Sequence, residues 1–240
     1  MVNEENKLTI DLYHGTSTLF LGSIIKFGLG AINPVQEWNL LELSREVYDL
    51  SEKHLRESHL FQISGLAFKA MTEQSNGGSM NFQHGDTYLS PSKKTASNYA
   101  VNKQFGSEML TYTIDFIKEL ERVDNEKVSK HAVQNMSKKY PKVFRLIQTN
   151  PAPLLIQVKN VSVTTLRDEH GGAPTDNLNE MGECFNENQA LFEMITQQTN
   201  FRLGETIELD SLRFWLIDFR KLNQLNVTYE YYEINPKVTK

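Results

Sequence analysis

Two hydrophobic periodicities interleave along this chain, and neither an all-helical nor an all-strand architecture accommodates both. Leu8-Thr9-Ile10-Asp11-Leu12-Tyr13 alternates apolar and polar residues, the signature of a half-buried strand. From about residue 35 to residue 74 the pattern changes. Leu40, Leu43, Val47 and Leu50 recur at spacings of three and four, with Glu, Arg and Lys between them, which predicts amphipathic helices. Strand-like segments return near Tyr88, at Met109–Ile114, at Leu154–Val158 and at Val161–Val163. Strands dispersed among helical stretches favour one mixed α+β domain over residues 1–240. Helical insertions fall at about 35–76 and 121–150, the second helical from about Glu126 to Thr149 and kinked at Pro141.

Local signals refine this outline. Ser17 or Thr18 can cap a helix carrying Leu21, Ile24 and Ile25, with Gly28 as its stop. Gly77-Gly78 closes the first insertion with flexible backbone, and Ser90-Pro91-Ser92 opens a helix running through Ala100. Arg167 to Glu183 is the most loop-like stretch. The apolar segments Ala190–Ile195, Asn200–Leu203 and Leu212–Ile217 follow it.

Composition sets limits on partners and compartment. Hydrophobic residues make up 39% of the chain and aromatics 10%, enough for a packed core. A formal charge of −5 argues against gripping nucleic acid over the whole surface. Cys184 stands alone, which excludes an internal disulfide and a cysteine-rich zinc site and points to a reducing, cytoplasmic setting. The start Met1-Val2-Asn3-Glu4-Glu5 lacks the basic and apolar runs of a secretory signal, and no stretch approaches the roughly 20 apolar residues of a membrane span. A soluble protein with no membrane partner is expected. A phosphate-binding Gly-x-x-x-x-Gly-Lys loop, a His-Glu-x-x-His zinc helix and a Gly-x-Ser-x-Gly elbow are all missing, and the histidines lie scattered.

Three short motifs carry more specific chemistry: Leu12-Tyr13-His14-Gly15-Thr16, then Gly85-Asp86-Thr87-Tyr88-Leu89-Ser90, then Ala96-Ser97-Asn98-Tyr99-Ala100. Together they resemble the nicotinamide-binding core of the diphtheria-toxin/PARP-like ADP-ribosyltransferases. In that family a His-Gly pair ends the first strand, a tyrosine ends a second, and another tyrosine follows eleven positions later on the next helix. Tyr88 and Tyr99 stand eleven apart here. The resemblance implies that His14 holds the adenosine-side ribose of NAD. It assigns the nicotinamide carboxamide to the Gly15 backbone, and glycine suits a site where main-chain donor and acceptor approach a ligand closely. Thr16 completes the first motif. Tyr88 and Tyr99 would sandwich the nicotinamide ring, worth roughly 0.5–1.5 kcal/mol beyond burial. Ala96 occupies the place where many members carry a hydroxyl bonded to the carboxamide; losing that neutral bond costs about 0.5–1.5 kcal/mol.

The family's third position is a glutamate near the start of a late strand, bound to the ribose that reacts. Taking Ile207–Leu216 as the last strand and counting back nine residues puts Gln198 in that slot, with Glu187 and Glu193 as acidic candidates in a shifted register. Glutamine carries no charge, and charge-assisted bonds are roughly twice as strong as neutral ones. A His-Tyr-Gln site would therefore be slower than a His-Tyr-Glu site.

The resemblance implies an α+β fold with an ADP-ribosyltransferase-like split β-sheet core, two small sheets with a NAD cleft between them. The implied reaction transfers ADP-ribose from NAD, as co-substrate and without a metal, to a macromolecular acceptor with release of nicotinamide. A protein acceptor is favoured over nucleic acid. Two alternatives stand beside it: a weakly active or inert NAD/ADP-ribose-binding module, and a nucleic-acid-directed relative. The latter draws on six basic residues, Lys127, Lys130, Lys138, Lys139, Lys142 and Arg145, in a stretch without an acidic one. Catalytic motifs set among unusual helical insertions also suggest an effector delivered without a signal peptide.

Overall fold

The computed structural model describes residues 1–77, 80–81, 85–123, 127–185, 187–221 and 227–236. Strand β1 (Leu12–Ser17) and helix α1 (Leu21–Phe27) come first. Helices α2 (Pro34–Glu37), α3 (Leu40–His54) and α4 (His59–Thr72) follow, then the two-residue strands β2 (Asn76–Gly77) and β3 (Met80–Asn81). Strand β4 (Tyr88–Leu89) leads into helices α5 (Lys93–Asn102), α6 (Glu108–Val123), α7 (Lys127–Lys139) and α8 (Pro141–Leu146). The remainder holds β5 (Pro153–Val158), β6 (Leu166–Arg167), α9 (Thr175–Phe185), α10 (Gln189–Gln198), β7 (Phe201–Leu203), β8 (Leu212–Lys221) and β9 (Val227–Ile234). This is the expected α+β mixture. It divides into two compact units, Met1–Ile32 with Asp86–Gly106 and Pro151–Lys240, and Asn33–Gly85 with Ser107–Asn150.

The first unit contains both larger sheets. Strands β1, β5, β8 and β9 form an antiparallel sheet in that spatial order, and β4, β7 and β6 form a second. One bridge, Tyr13 to Ser90, links β1 to the strand end of β4. Strand β5 lies between two neighbours and buries Leu154, Leu155, Ile156 and Val158, so its sequence reads as a continuous apolar run. Strand β9 has one neighbour, and its exposure alternates along Val227–Glu230 and Tyr231–Tyr232 as an edge strand should. Helix α5 packs Ala96 and Ala100 against Leu155 and Ile217, flanked by Tyr13, Trp215, Tyr229 and Tyr231.

The second unit is almost wholly helical. Asn33 caps α2 by accepting the Val35 N–H at 2.9 Å, and Ser58 caps α4 by accepting that of Phe61 at 3.2 Å. Leu40, Leu43 and Val47 of α3 are fully buried, as their spacing predicts. Phe68 stacks on Phe116 with centroids 4.8 Å apart and planes at 11°. Ser44 and Thr113 share a buried hydroxyl bond of 2.7 Å, and each is also bonded to a helix carbonyl one turn back. On α7 and α8 the buried set is Val133, Met136, Tyr140 and Val143, while Lys130, Lys138, Lys142 and Arg145 face solvent. Lys139 pairs with Glu42 and Glu46 of α3 at 2.8 and 2.7 Å. From Lys130 to Arg145 the basic residues are thus the polar face of an amphipathic pair whose break falls at Pro141.

Several expectations need correction. The first strand runs from Leu12 to Ser17, because pairing with β5 defines it; Leu8 lies outside, its N–H donating to the Val161 carbonyl. Ser17 therefore belongs to β1, and α1 starts at Leu21 with Phe20 at its N-cap and no side-chain cap. Gly28 does stop that helix, with φ at +89°, a conformation glycine adopts without penalty. Pro91 precedes α5, whose cap is Ser92, bonded to the Thr95 N–H at 3.2 Å. Met109–Ile114 is helix, not strand. Over a longer window Met109, Leu110, Thr113, Ile114, Ile117 and Leu120 form a single buried helical stripe, invisible in six residues.

Val161–Val163 is not a strand: Ser162 bridges to Lys7, and Val163–Thr165 makes a 3₁₀ turn. Helix α9 replaces most of the Arg167–Glu183 loop, burying Leu178 and Met181. The strand expected at Ile207–Leu216 begins at Leu212, and β9 follows it. Gly78 and Glu126 lie outside the described residues.

Candidate functional site

The geometry of interest begins where β1 and β4 part. Tyr13 and Ser90 exchange two backbone bonds, Tyr13 N–H to Ser90 O and Ser90 N–H to Tyr13 O, each 2.8 Å. Were the ladder to continue, Gly15 would pair with Tyr88 next. It does not. The Tyr88 carbonyl instead accepts the His14 Nδ1–H at 2.8 Å. Backbone groups alternate direction along a strand. Since Tyr13 points its N–H and C=O away from β5, Gly15 points both of its own the same way. Neither has a hydrogen-bond partner among the described residues. The result is one donor and one acceptor side by side on a buried strand residue where β4 has left the ladder, the complement of a primary carboxamide.

The bond to Tyr88 assigns the proton of neutral His14 to Nδ1 and leaves Nε2 as an acceptor. Burial pulls the imidazole below its ordinary pKa, against the opposing pull of the Tyr88 carbonyl. His14 is therefore neutral at pH 7. The half-buried Tyr88 phenol is pushed upward, first by burial and then by Asp86, with Arg202 opposing and Glu169 adding to the rise. It stays protonated and able to donate.

Helix α5 closes the other side of Gly15. A Cβ there would run into the Ala96 carbonyl, its carbon 2.9 Å away and the Ala100 nitrogen 3.1 Å away. The contact is with the Ala96 main chain, not its side chain. Tyr99 lies between these two alanines in sequence, on the same helix, and is 36% exposed. Strand β9 anchors this helix. The Tyr231 hydroxyl meets Ser97 Oγ at 2.9 Å, Tyr229 donates to Asn98, and the Lys93 ammonium sits 3.7 Å from the Tyr231 ring centre. Thr16 points elsewhere: it is buried, and its hydroxyl donates to the Gly106 carbonyl at 3.2 Å.

Of the candidates for the third position, Gln198 sits where α10 meets the second motif and α5: Thr95 Oγ1 donates to the Gln197 carbonyl at 3.3 Å and Ser90 Oγ to the Thr199 carbonyl at 3.5 Å. Gln198 is the last residue of α10, and Glu193 lies on the same helix accepting from Gln189 at 3.3 Å. Glu187 sits in the turn before it, its N–H bonded to the Cys184 carbonyl. All three side chains are exposed. The strand that reaches the site is β7, which pairs Arg202 with Tyr88 and Phe201 with Leu89. Asn200 immediately precedes it. Its amide donates to Glu169 at 2.9 Å, and Arg202 pairs with Asp86 at 3.0 Å.

Sequence reasoning passed over Asp86, Glu169, Asn200 and Arg202. Asn200 sat within the stretch considered; Glu169 had no local signal, because only sheet register brings it in.

Among the described residues no group of three or more His, Cys, Asp or Glu side chains could hold a metal ion. No described helix is long and apolar enough to cross a membrane. No protein-family model matches this chain, and no curated protein or solved structure matches it significantly.

Proposed function

We propose that this chain is an ADP-ribosyltransferase that cleaves NAD and passes ADP-ribose to a macromolecular acceptor, a protein in preference to nucleic acid. The observation that carries the reading is the donor–acceptor pair of Gly15, without a partner among the described residues where His14 takes the Tyr88 carbonyl. Two antiparallel sheets that meet at one bridge and then separate also suit a split-sheet core of the ADP-ribosyltransferase type.

In this reading the Gly15 N–H and C=O bind the carboxamide, and Tyr88 and Tyr99 flank the nicotinamide ring. His14 Nε2 accepts from a hydroxyl of the adenosine ribose. Holding NAD so that the C1′–N bond lies exposed to attack converts binding into rate. That bond breaks with its electron pair leaving on nicotinamide, and the acceptor heteroatom bonds C1′ and releases its proton. The test is nicotinamide release from NAD by the wild-type chain and by His14→Ala. Equal background rates in both would sink the enzymatic reading. Mass spectrometry of lysate proteins and nucleic acids after incubation with labelled NAD identifies the acceptor.

A second reading, a NAD or ADP-ribose-binding module without turnover, is favoured by one observation. Gln198 is neutral and exposed, and the residue just before β7 is the equally neutral Asn200. Calorimetric NAD binding without nicotinamide release selects it.

A further inference from the structure

The basic stretch of the sequence belongs to the helical unit, not to the unit that holds Gly15, and its cations are unevenly engaged. Between Lys127 and Arg145 the chain carries no Asp or Glu. Lys139 is held by Glu42 and Glu46 of α3 at 2.8 and 2.7 Å. Lys130, Lys138, Lys142 and Arg145 are exposed, and among the described residues none of the four forms an ion pair. Lys130, Gln134 and Lys138 stand four residues apart, so they line one side of α7 at intervals of about 6 Å along its axis. Lys142 and Arg145 extend the series on α8, beyond the break at Pro141. Glu121 of α6 shares a hollow with Lys130, which makes Lys138 and Lys142 the cleaner pair to test.

The composition of this face discriminates among anionic partners. Among the described residues of α7 and α8 no large hydrophobic side chain is exposed. Protein interfaces centre on apolar and aromatic groups and are poor in lysine. A helix lying on a membrane inserts an apolar face, whereas the apolar side of α7 and α8 is turned into the unit. A single nucleic-acid strand is held by stacking its bases on aromatic side chains, and this face offers none. The phosphates of a duplex require only Lys and Arg, with amides such as Gln134 and Asn135 beside them. The B-form major groove, about 12 Å wide, admits a helix of about 10–12 Å, while the A-form groove of RNA is too narrow.

We propose that the solvent face of α7 and α8 is a docking surface for duplex DNA, with Lys130, Lys138, Lys142 and Arg145 on the phosphate backbone and no reading of base sequence. The surface goes beyond the NAD reading and does not depend on it. With a formal charge of −5 on the whole chain, the remaining surface repels the polyanion and confines contact to this face. A partner held by charge alone is released by salt, because each neutralised phosphate sets free condensed counterions.

The experiment measures fluorescence anisotropy of a short labelled DNA duplex with the full chain over a range of salt. Four phosphate contacts predict that wild-type affinity falls roughly 100-fold between about 50 and about 200 mM salt. Lys138→Ala combined with Lys142→Ala should halve the logarithmic slope, to a fall of roughly 10-fold over the same range. The corresponding Lys→Arg pair keeps the wild-type slope, and Lys26→Ala, an exposed lysine of the other unit, leaves it unchanged. Circular dichroism checks folding, and Lys138→Gln with Lys142→Gln gives the same readout if the alanine pair misfolds. Absence of duplex binding at low salt, or an unchanged slope in a folded alanine or glutamine pair, overturns the proposal. So does tighter binding to an RNA duplex, to a single strand, or to vesicles of phosphatidylserine and phosphatidylcholine. Nicotinamide release from NAD is followed separately, so either reading can fail while the other stands.

Discussion

The imidazole of His14 donates to the main-chain carbonyl of Tyr88 across 74 residues of sequence, at 2.8 Å. That single bond replaces the ladder contact Gly15 would have made and holds the two strands at their point of separation. It also makes the stability of the first unit depend on pH. Burial, the larger influence, depresses the folded-state pKa below the ordinary 6.5. The unfolded chain therefore binds the proton more readily. Stability from neutral His14 is full above about pH 6.5 and declines as pH falls below it toward the depressed folded value. The expected result is a melting temperature that drops between pH 7.5 and pH 5.5, and less so in His14→Gln. Equal slopes in the two proteins would show that His14 is not the group responsible.

Gly15→Ala tests the close approach of α5 to β1. The added methyl meets main chain, the Ala96 carbonyl and the Ala100 nitrogen, so no side chain can swing aside to admit it. A loss of about 1–3 kcal/mol in urea unfolding is expected. NAD binding should also weaken, because any adjustment shifts the strand edge that offers donor and acceptor.

The bond between Ser97 and Tyr231 ties the helix carrying Tyr99 to the edge strand β9. Tyr231→Phe should cost about 0.5–1.5 kcal/mol, toward the lower end because Ser97 Oγ still donates to the Lys93 carbonyl at 2.8 Å. In the double variant with Ser97→Ala the cost should fall short of the sum of the single ones, since both remove one contact. Additive losses in denaturant titrations would show that the hydroxyls are not coupled.

Tyr99→Ala addresses the ring clamp. Removing one face of an aromatic sandwich costs roughly 0.5–1.5 kcal/mol, which corresponds to a weakening of NAD binding by up to about 10-fold. Isothermal titration provides the measurement. Tyr99→Phe should bind like wild type, because stacking needs the ring and not the hydroxyl. A phenylalanine variant as weak as the alanine one would count against stacking.

Where packing follows local periodicity, the sequence was a reliable guide. Leu40, Leu43 and Val47 announced α3 through their spacing, and Gly28 marked the end of α1 through the conformation only glycine adopts cheaply. The same logic failed over Met109–Ile114, where four β-favouring residues, Thr111 to Ile114, hid a sixteen-residue helix whose buried stripe needs a longer window. Tyr229, Tyr231 and the intervening Glu230 alternate as an edge strand does, a signal present in the sequence but outside the segments weighed.

By itself the sequence determined the mixed helix-and-strand class, the helical character of residues 35–74, and the identity of His14, Gly15, Tyr88 and Tyr99 as residues of interest. Tertiary structure alone decided that β1 and β4 separate at Gly15, that Gln198, Glu187 and Glu193 face solvent, and that Glu169 meets Asn200. Side-chain periodicity is a property of neighbours along the chain and can be read from a string of letters. Register between strands is set by hydrogen bonds and burial summed across segments tens of residues apart, and no local pattern encodes it.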